Sequence, residues 1–368
     1  MTKDLPGRRI LGLDAARGVA LLGMIVVNVG PLDGDGIGQR LYLLPYGRAS
    51  VLFVVVAGIG MATYLRAHAA DSRRWPTVVW RAALLFLGGL ALQRVTDDLG
   101  VILPAYGLLF LLALGLQRAR PRMWLLGAGV ATVIGPVLIV SHVVSRGGRH
   151  VTDPVAWGDP AGQILHSLIL SGRYPLVTWV VPFLVGMWMA SSDLRDSAVT
   201  GKLMKIGGLA AIGGFLLAQI APLVLGARAE GGFARLLTGV AHGQMPLWLV
   251  SSVGGAVFVI AASMHYWSTI QHVAGPVAAA GRMALTFYVG HVLVLTAITP
   301  DSDFSFGQGL LVSAGMSIAF LTIAALWTRL LGAGPLERLL RATWLRRLSQ
   351  SHPVRISANA HGASSPTT

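Results

Sequence analysis

Long runs of apolar residues alternate with short polar connections from one end of the chain to the other. A helix needs about 20 apolar residues to cross roughly 30 Å of hydrocarbon. Windows of that kind fall near residues 11–30, 49–66, 77–94, 99–117, 122–143, 174–192, 203–226, 245–266, 282–300 and 309–331. The pattern predicts an all-α, polytopic membrane protein of about ten transmembrane helices, forming a single domain over residues 1–348. The first window follows Lys3, Arg8 and Arg9, but it carries Asp14 and Arg17 and lacks a small-residue cleavage site, so it reads as a retained helix rather than a cleaved leader. Two further segments stand out. Residues 144–173 contain a short apolar stretch, Ile164 to Leu170, too brief to span and suited to an interfacial or re-entrant position. Residues 335–348 read as a basic amphipathic helix lying on an anionic leaflet, and the Ser-, His- and Ala-rich residues 349–368 predict a disordered cytoplasmic tail.

Composition sharpens this picture. Hydrophobic residues make up 54% of the 368 and charged residues only 12%, against roughly 25% charged in a soluble protein, and the mean hydropathy is +0.67. A water-soluble globule is excluded. The absence of cysteine excludes disulfides, thiolate metal sites and a cysteine nucleophile. The net charge of +14 lies mostly in short basic runs between apolar segments, which is a signature of membrane topology rather than of nucleic-acid binding. Lys3, Arg8, Arg9, Arg66, Arg73, Arg74, Arg118, Arg120, Arg122, Arg195, Lys202 and Lys205 cluster on alternate connections, whereas the intervening ones hold Asp33, Asp35, Asp97, Asp98, Asp153, Asp301 and Asp303. This asymmetry predicts a multi-pass protein of the plasma (inner) membrane with both termini cytoplasmic. The 46 glycines suit close helix packing, as at Gly207-Gly208 and Gly213-Gly214, and make a homodimer a candidate assembly.

Ionisable groups inside a span are costly and usually pair or line a cavity. In the first window Asp14 and Arg17 are three residues apart and placed to pair. Asn28 follows Asp14 by fourteen residues, which returns it to within about 40° of the same face and about 21 Å further across the membrane. Arg48 opens the second window near the same edge as Asn28, where snorkelling to headgroups is the simpler account. Pro104 interrupts the fourth window and would free backbone groups, with Asp98 or Tyr106 placed to face the resulting cavity. The ninth window carries Arg282, Tyr288 and His291. His291 sits about 13.5 Å beyond Arg282, near mid-membrane, and is as readily a neutral packed histidine as a proton carrier. Roughly 900° of turn would place the two on opposite faces of a straight helix, so a shared site requires a break. Phosphate-loop, His-Glu-x-x-His and Gly-x-Ser-x-Gly signatures are absent from the sequence.

Two sets of motifs resemble one superfamily. Leu13-Asp14-Ala15-Ala16-Arg17-Gly18 through Asn28 is similar to the opening helix of the transmembrane acyltransferases related to heparan-alpha-glucosaminide N-acetyltransferase. Tyr288-Val289-Gly290-His291 resembles a late helix of that superfamily. Gly281 to Thr286, together with Gly334-Pro335-Leu336-Glu337, resembles its bacterial YeiB-like branch. The resemblance covers about the first 110 residues and roughly 280–340. It implies ten or eleven helices around a tunnel, with acyl-CoA, acetyl-CoA above all, entering from the cytoplasm and a glycan, lipid or small-molecule acceptor outside. On this reading Arg17, Arg48, Arg282, Tyr106 and Tyr288 bind the co-substrate, Asn28 orients the acyl carbonyl, His291 serves proton transfer or positioning with Asp14 in support, and no metal or nucleic acid is involved. One departure is that residues 31–47 hold no histidine, where the eukaryotic enzymes carry one, which leaves His291, Asp33, Asp35 or Asp98 as candidate bases. The competing expectations are a transporter or flippase of a small polar or lipid-linked solute, since broken helices with mid-membrane polar groups also describe transport sites, and a non-catalytic membrane scaffold.

Overall fold

The computed structural model describes residues 9–32, 36–96, 99–147, 154–239, 242–298 and 304–341. It is 80% helical, with no strand among the described residues. Fourteen α-helices follow in order: α1 (Leu11–Val29), α2 (Ile37–Tyr42), α3 (Arg48–Ala67), α4 (Arg74–Gln93), α5 (Leu103–Leu116), α6 (Pro121–Ser145), α7 (Ala161–His166), α8 (Leu176–Met189), α9 (Ser197–Leu225), α10 (Pro246–His265), α11 (Trp267–Arg282), α12 (Ala284–Ile298), α13 (Phe306–Leu330) and α14 (Pro335–Leu340). Seven of these are long and apolar enough to cross a membrane, and nine spans result if each of two bent pairs counts as one. The chain is therefore a polytopic helical membrane protein. The shorter apolar α5 corresponds to the remaining window of the sequence pattern.

Local signals account for the helix starts. Pro104, Pro121, Pro246 and Pro335 occupy first turns, where the missing N–H costs nothing. Asp196 caps α9 by accepting from the Ala198 amide at 2.8 Å, and Ser305 with Gln308 forms a capping box on α13. Pro104 thus opens α5 rather than interrupting it. The preceding backbone is unwound, and Gln93 satisfies it. Its side chain accepts from the Val101 amide at 2.8 Å and donates to the carbonyls of Thr96 at 2.8 Å and Leu99 at 2.9 Å.

The helices pack around α3, whose buried residues run nearly its whole length. Gly12 of α1 lies against Ser263 and Met264 near the end of α10, while Gly47, just before α3, lies against Trp248 near the start of α10. These contacts define two faces of the bundle. The beginning of α1 and the ends of α3, α8 and α10 lie at a first face; the end of α1 and the beginnings of α3, α8 and α10 lie at a second. The outer helices expose large apolar side chains, among them Leu209, Ile212 and Leu223 of α9, as contact with hydrocarbon requires. Of the glycines expected to pack, Gly207 and Gly214 sit tightly on α10, whereas Gly213 meets nothing within 4 Å.

The structure departs from the hydropathy windows in two places. The ninth window is the second arm of a broken unit in which α11 and α12 meet at 77°. The windows miss α11 because Ser268, Thr269, Gln271 and His272 dilute its apolar face. The stretch expected to be interfacial or re-entrant forms α7 and a single π-helical turn, Ser167–Ser171, and then bends by 61° into α8. Of the expected amphipathic helix over 335–348, residues 335–340 are helical and docked on the bundle, and 342–348 lie outside the described residues, as does the tail.

Candidate functional site

The early polar pair on α1 forms as its spacing requires. One oxygen of Asp14 accepts from Arg17 at 3.1 Å and from Arg9 at 3.0 Å. Asp14 is buried, and the Arg17 side chain keeps 26% of its surface accessible, which it presents to a cavity of about 350 Å3 at the first face. Five arginines line that cavity, namely Arg9, Arg17, Arg81, Arg282 and Arg341, against a single carboxylate, Glu337. Tyr106 and Tyr288 are also among its walls. Arg81 is fixed by a bond from Nε to the Leu340 carbonyl at 3.0 Å and by stacking 4.2 Å above the Tyr64 ring. Nε of Arg282 and the hydroxyl of Tyr106 are buried without a protein partner. Unpaired buried donors are costly, so donors left open beside so many guanidinium groups point to an anionic ligand with further acceptor oxygens.

The break between α11 and α12 positions this wall. Met283 ends α11, its amide bonding back to Ala280 at 2.9 Å, and the first amides of α12 are left without helical partners. Glu337 takes them. Its carboxylate accepts from the amides of Leu285 at 2.7 Å and Thr286 at 3.0 Å and from the Thr286 hydroxyl at 2.6 Å, a favourable place for a negative charge at a helix N-terminus. The same contact straps α14 over the cavity, with Trp80 Nε1 donating to the Leu339 carbonyl at 3.0 Å. Because the helix breaks, Arg282 faces the cavity while α12 sets off in a new direction towards α1.

On that new direction His291 reaches Asn28. Nδ2 of Asn28 and Nε2 of His291 are 2.8 Å apart, although 263 residues separate them in sequence. Nδ1 of His291 lies 3.2 Å from the Phe287 carbonyl. With Nδ1–H donating there, Nε2 accepts from Asn28, whose second amide hydrogen remains for another acceptor. His291 has 0% exposure and does not line the cavity; the Tyr288 ring, 5.2 Å away, stands between them. The Tyr288 hydroxyl accepts from the Ile102 amide at 3.1 Å. Asn28 is only partly buried and lies near the second face.

Of the residues singled out in the sequence, Arg17, Arg282, Tyr106 and Tyr288 therefore share the cavity, Asp14 holds Arg17, and Asn28 and His291 form a pair beyond Tyr288. Arg48 is not among the lining residues; its guanidinium donates to the Leu44 carbonyl at 3.3 Å, at the other end of α3. Asp33, Asp35, Asp97 and Asp98 lie outside the described residues. No group of three histidine or acidic side chains able to hold a metal ion occurs among the described residues. Sequence reasoning missed Arg9, Arg81, Arg341 and Glu337 as cavity walls. The signal for the last was present in Gly334-Pro335-Leu336-Glu337, a helix start carrying an acid in its first turn.

A helical membrane bundle with a basic cavity at one face and an Asn–His pair beyond it defines the class of protein. A family model described as a protein of unknown function, DUF418, a YeiB-like membrane family, matches residues 180–347, from within α8 to beyond α14. That region holds Arg282, Tyr288, His291 and Glu337 but not α1. No curated protein matches the chain.

Proposed function

We propose that the chain is a membrane-embedded acyltransferase of the plasma membrane, with both termini cytoplasmic, that moves an acyl group from acyl-CoA at the first face to an acceptor at the second. The observation that carries this reading is the cavity walled by five arginines and a single carboxylate, two of whose walls, Arg282 and Tyr106, hold a buried donor without a protein partner. Guanidinium groups suit phosphate oxygens through paired, planar donors. At about 350 Å3 the cavity is at the small end of ligand sites. It accommodates the phosphates and the thioester arm, with the nucleotide remaining at the face. The basic ends of helices gathered at the first face, including Arg66, Arg74 and Arg122, support a cytoplasmic location for it.

Within this reading Arg17 and Arg282 bind phosphate, and Tyr288 separates the donor chamber from the His291–Asn28 pair. The remaining amide hydrogen of Asn28 is placed to donate to an acyl oxygen as negative charge develops on it, and His291 fixes the orientation of that amide. A transporter is the second reading, favoured by the two broken helical units bent at 61° and 77°.

Thermal unfolding of the purified protein separates the two. CoA raises the melting temperature through mass action. Arg17→Ala weakens the apparent CoA affinity roughly 10- to 100-fold, the loss of one charged hydrogen bond, while Arg9 continues to hold Asp14. Labelled acyl-CoA transfers its label to an acceptor. Absence of CoA stabilisation together with uptake of a solute by reconstituted vesicles would establish the transporter instead.

A further inference from the structure

The long helix α9 is the least enclosed of the seven spans, with 17% of its apolar window buried. One side of it packs on α10, where Gly207 and Gly214 let the backbones approach, and Ala218 and Ala221 are buried on that same side. The opposite side carries a single row, Leu209, Ile212, Leu216, Gln219 and Leu223, at alternating spacings of three and four residues. Its four apolar members are 74%, 62%, 59% and 82% exposed in chain order, and Gln219 is exposed with them. Such spacing keeps the row on one stripe of the helix, at the a and d positions through which two helices interlock their side chains.

An apolar row alone is what lipid covers. Gln219 does not belong in lipid. It sits inside a stretch without charge that runs from residue 206 to residue 227, between Lys205 and Arg228. At 1.5 Å per residue it lies about 21 Å beyond Lys205 and about 9 Å short of the helix end at Leu225, within the hydrocarbon. One amide hydrogen reaches the Phe215 carbonyl of its own helix at 3.3 Å. The amide oxygen and the second hydrogen have no partner among the described residues. Threonines on the outside of the bundle differ, since Thr296 and Thr322 each close their hydroxyl on a carbonyl one turn back, at 2.9 and 2.8 Å. A carboxamide has more bonds to satisfy than its own helix supplies, and leaving them open in hydrocarbon is costly, so residues of this kind face a neighbouring helix.

The chemistry of the side chain selects that neighbour. A carboxamide both donates and accepts, so its complement is a second carboxamide at the same depth. Two copies inserted with the same topology hold their α9 helices parallel, and a two-fold axis along the membrane normal sets each residue of the row against its own counterpart. Gln219 then meets Gln219, with leucine and isoleucine above and below, and one polar residue in an apolar seam fixes its register. Lys205 and Lys202 continue the row beyond the hydrocarbon, where their side chains splay towards headgroups.

We propose that the outer row of α9 is the interface of a parallel homodimer, with the Gln219 carboxamides of the two copies bonded to each other across it. The interface is independent of what the arginine cavity binds. The chain has no cysteine, so single cysteines report self-contact without background. The test uses the purified full chain in phosphatidylcholine vesicles at low protein-to-lipid ratio, oxidised with copper phenanthroline and read as the dimer band on denaturing gels. Ile212→Cys and Leu216→Cys cross-link. Leu217→Cys, which is 53% exposed but about 100° further round the helix, links about tenfold less. In the Leu216→Cys chain, Gln219→Leu raises the dissociation constant about tenfold, measured from the dimer fraction across protein-to-lipid ratios, whereas Gln219→Asn keeps most of the dimer. Gln219→Leu puts an apolar side chain where lipid is the alternative contact, so its melting temperature does not fall below that of the isolated monomer. Should Leu216→Cys disturb the seam, Ile212→Cys carries the same comparison. The proposal is overturned if the reconstituted protein stays monomeric, if Leu217→Cys links as readily as Leu216→Cys, or if Gln219→Leu dimerises as tightly as the parent.

Discussion

His291→Ala lowers acyl transfer by about two to four orders of magnitude, the range spanned by loss of a proton-transfer group or of an oriented oxyanion donor, while CoA still stabilises the protein. The separation follows from geometry. His291 lies outside the arginine cavity and behind Tyr288, so nothing that binds phosphate is touched. Its loss frees the Asn28 amide, which the 2.8 Å contact to Nε2 holds in place. Asn28→Ala therefore produces a loss of similar size, and the double variant is no worse than the poorer single one, because the two side chains act as one unit. Losses that instead multiply in the double variant would show two independent roles. Full activity in His291→Ala would remove the histidine from the mechanism. Initial rates with a labelled acyl donor, beside CoA-dependent melting curves, measure both halves of the expectation.

Gly281→Ala has the largest expected effect on stability. A Cβ at this position would overlap the Asp14 carbonyl oxygen and crowd the Gly18 amide, both of them backbone atoms that cannot rotate away. Gly18 faces the Val277 carbonyl just as closely, so α1 and α11 touch through two glycines and must separate to admit a methyl group. Overpacking against backbone costs about 3 kcal/mol or more, which lowers the apparent melting temperature of a chain this long by roughly 4 °C or more. The separation also moves Arg17 away from Arg282, so CoA stabilisation weakens along with the fold. Gly213→Ala is the control. It meets nothing within 4 Å, and alanine is favoured over glycine in a helix by up to about 1 kcal/mol, so its melting temperature stays or rises. Equal behaviour of the two variants would mean that the contact between α1 and α11 does not set the stability of the bundle.

Much of the architecture was legible because hydropathy is a property of contiguous residues. Each apolar window corresponds to a helix or to one arm of a broken one. The pairing of Asp14 with Arg17 was equally legible, being a matter of three residues on one helix. The need for a break between Arg282 and His291 could be argued from helical phase alone, and the break falls at Met283. What could not be read was set by distant segments. The polar helix α11 lacks the hydropathy of a span and is held by its glycine contact with α1. The arginine cavity draws on α1, α4, α11 and the strap at α14, so no local pattern marks Arg81 and Arg341 as parts of one wall. Arg48 looked close to Asn28 in depth and is so, but depth does not decide whether a side chain reaches a cavity at the opposite face.

The central claim is that the arginine cavity receives the donor and points its reactive end towards Tyr288 and the pair behind it. A density map of the protein with bound acyl-CoA tests this most directly. The account predicts phosphate oxygens within hydrogen-bond distance of the Arg17 and Arg282 guanidinium groups and the thioester directed at Tyr288. Nucleotide density anywhere else, or an arginine cavity that stays empty at saturating acyl-CoA, would contradict it.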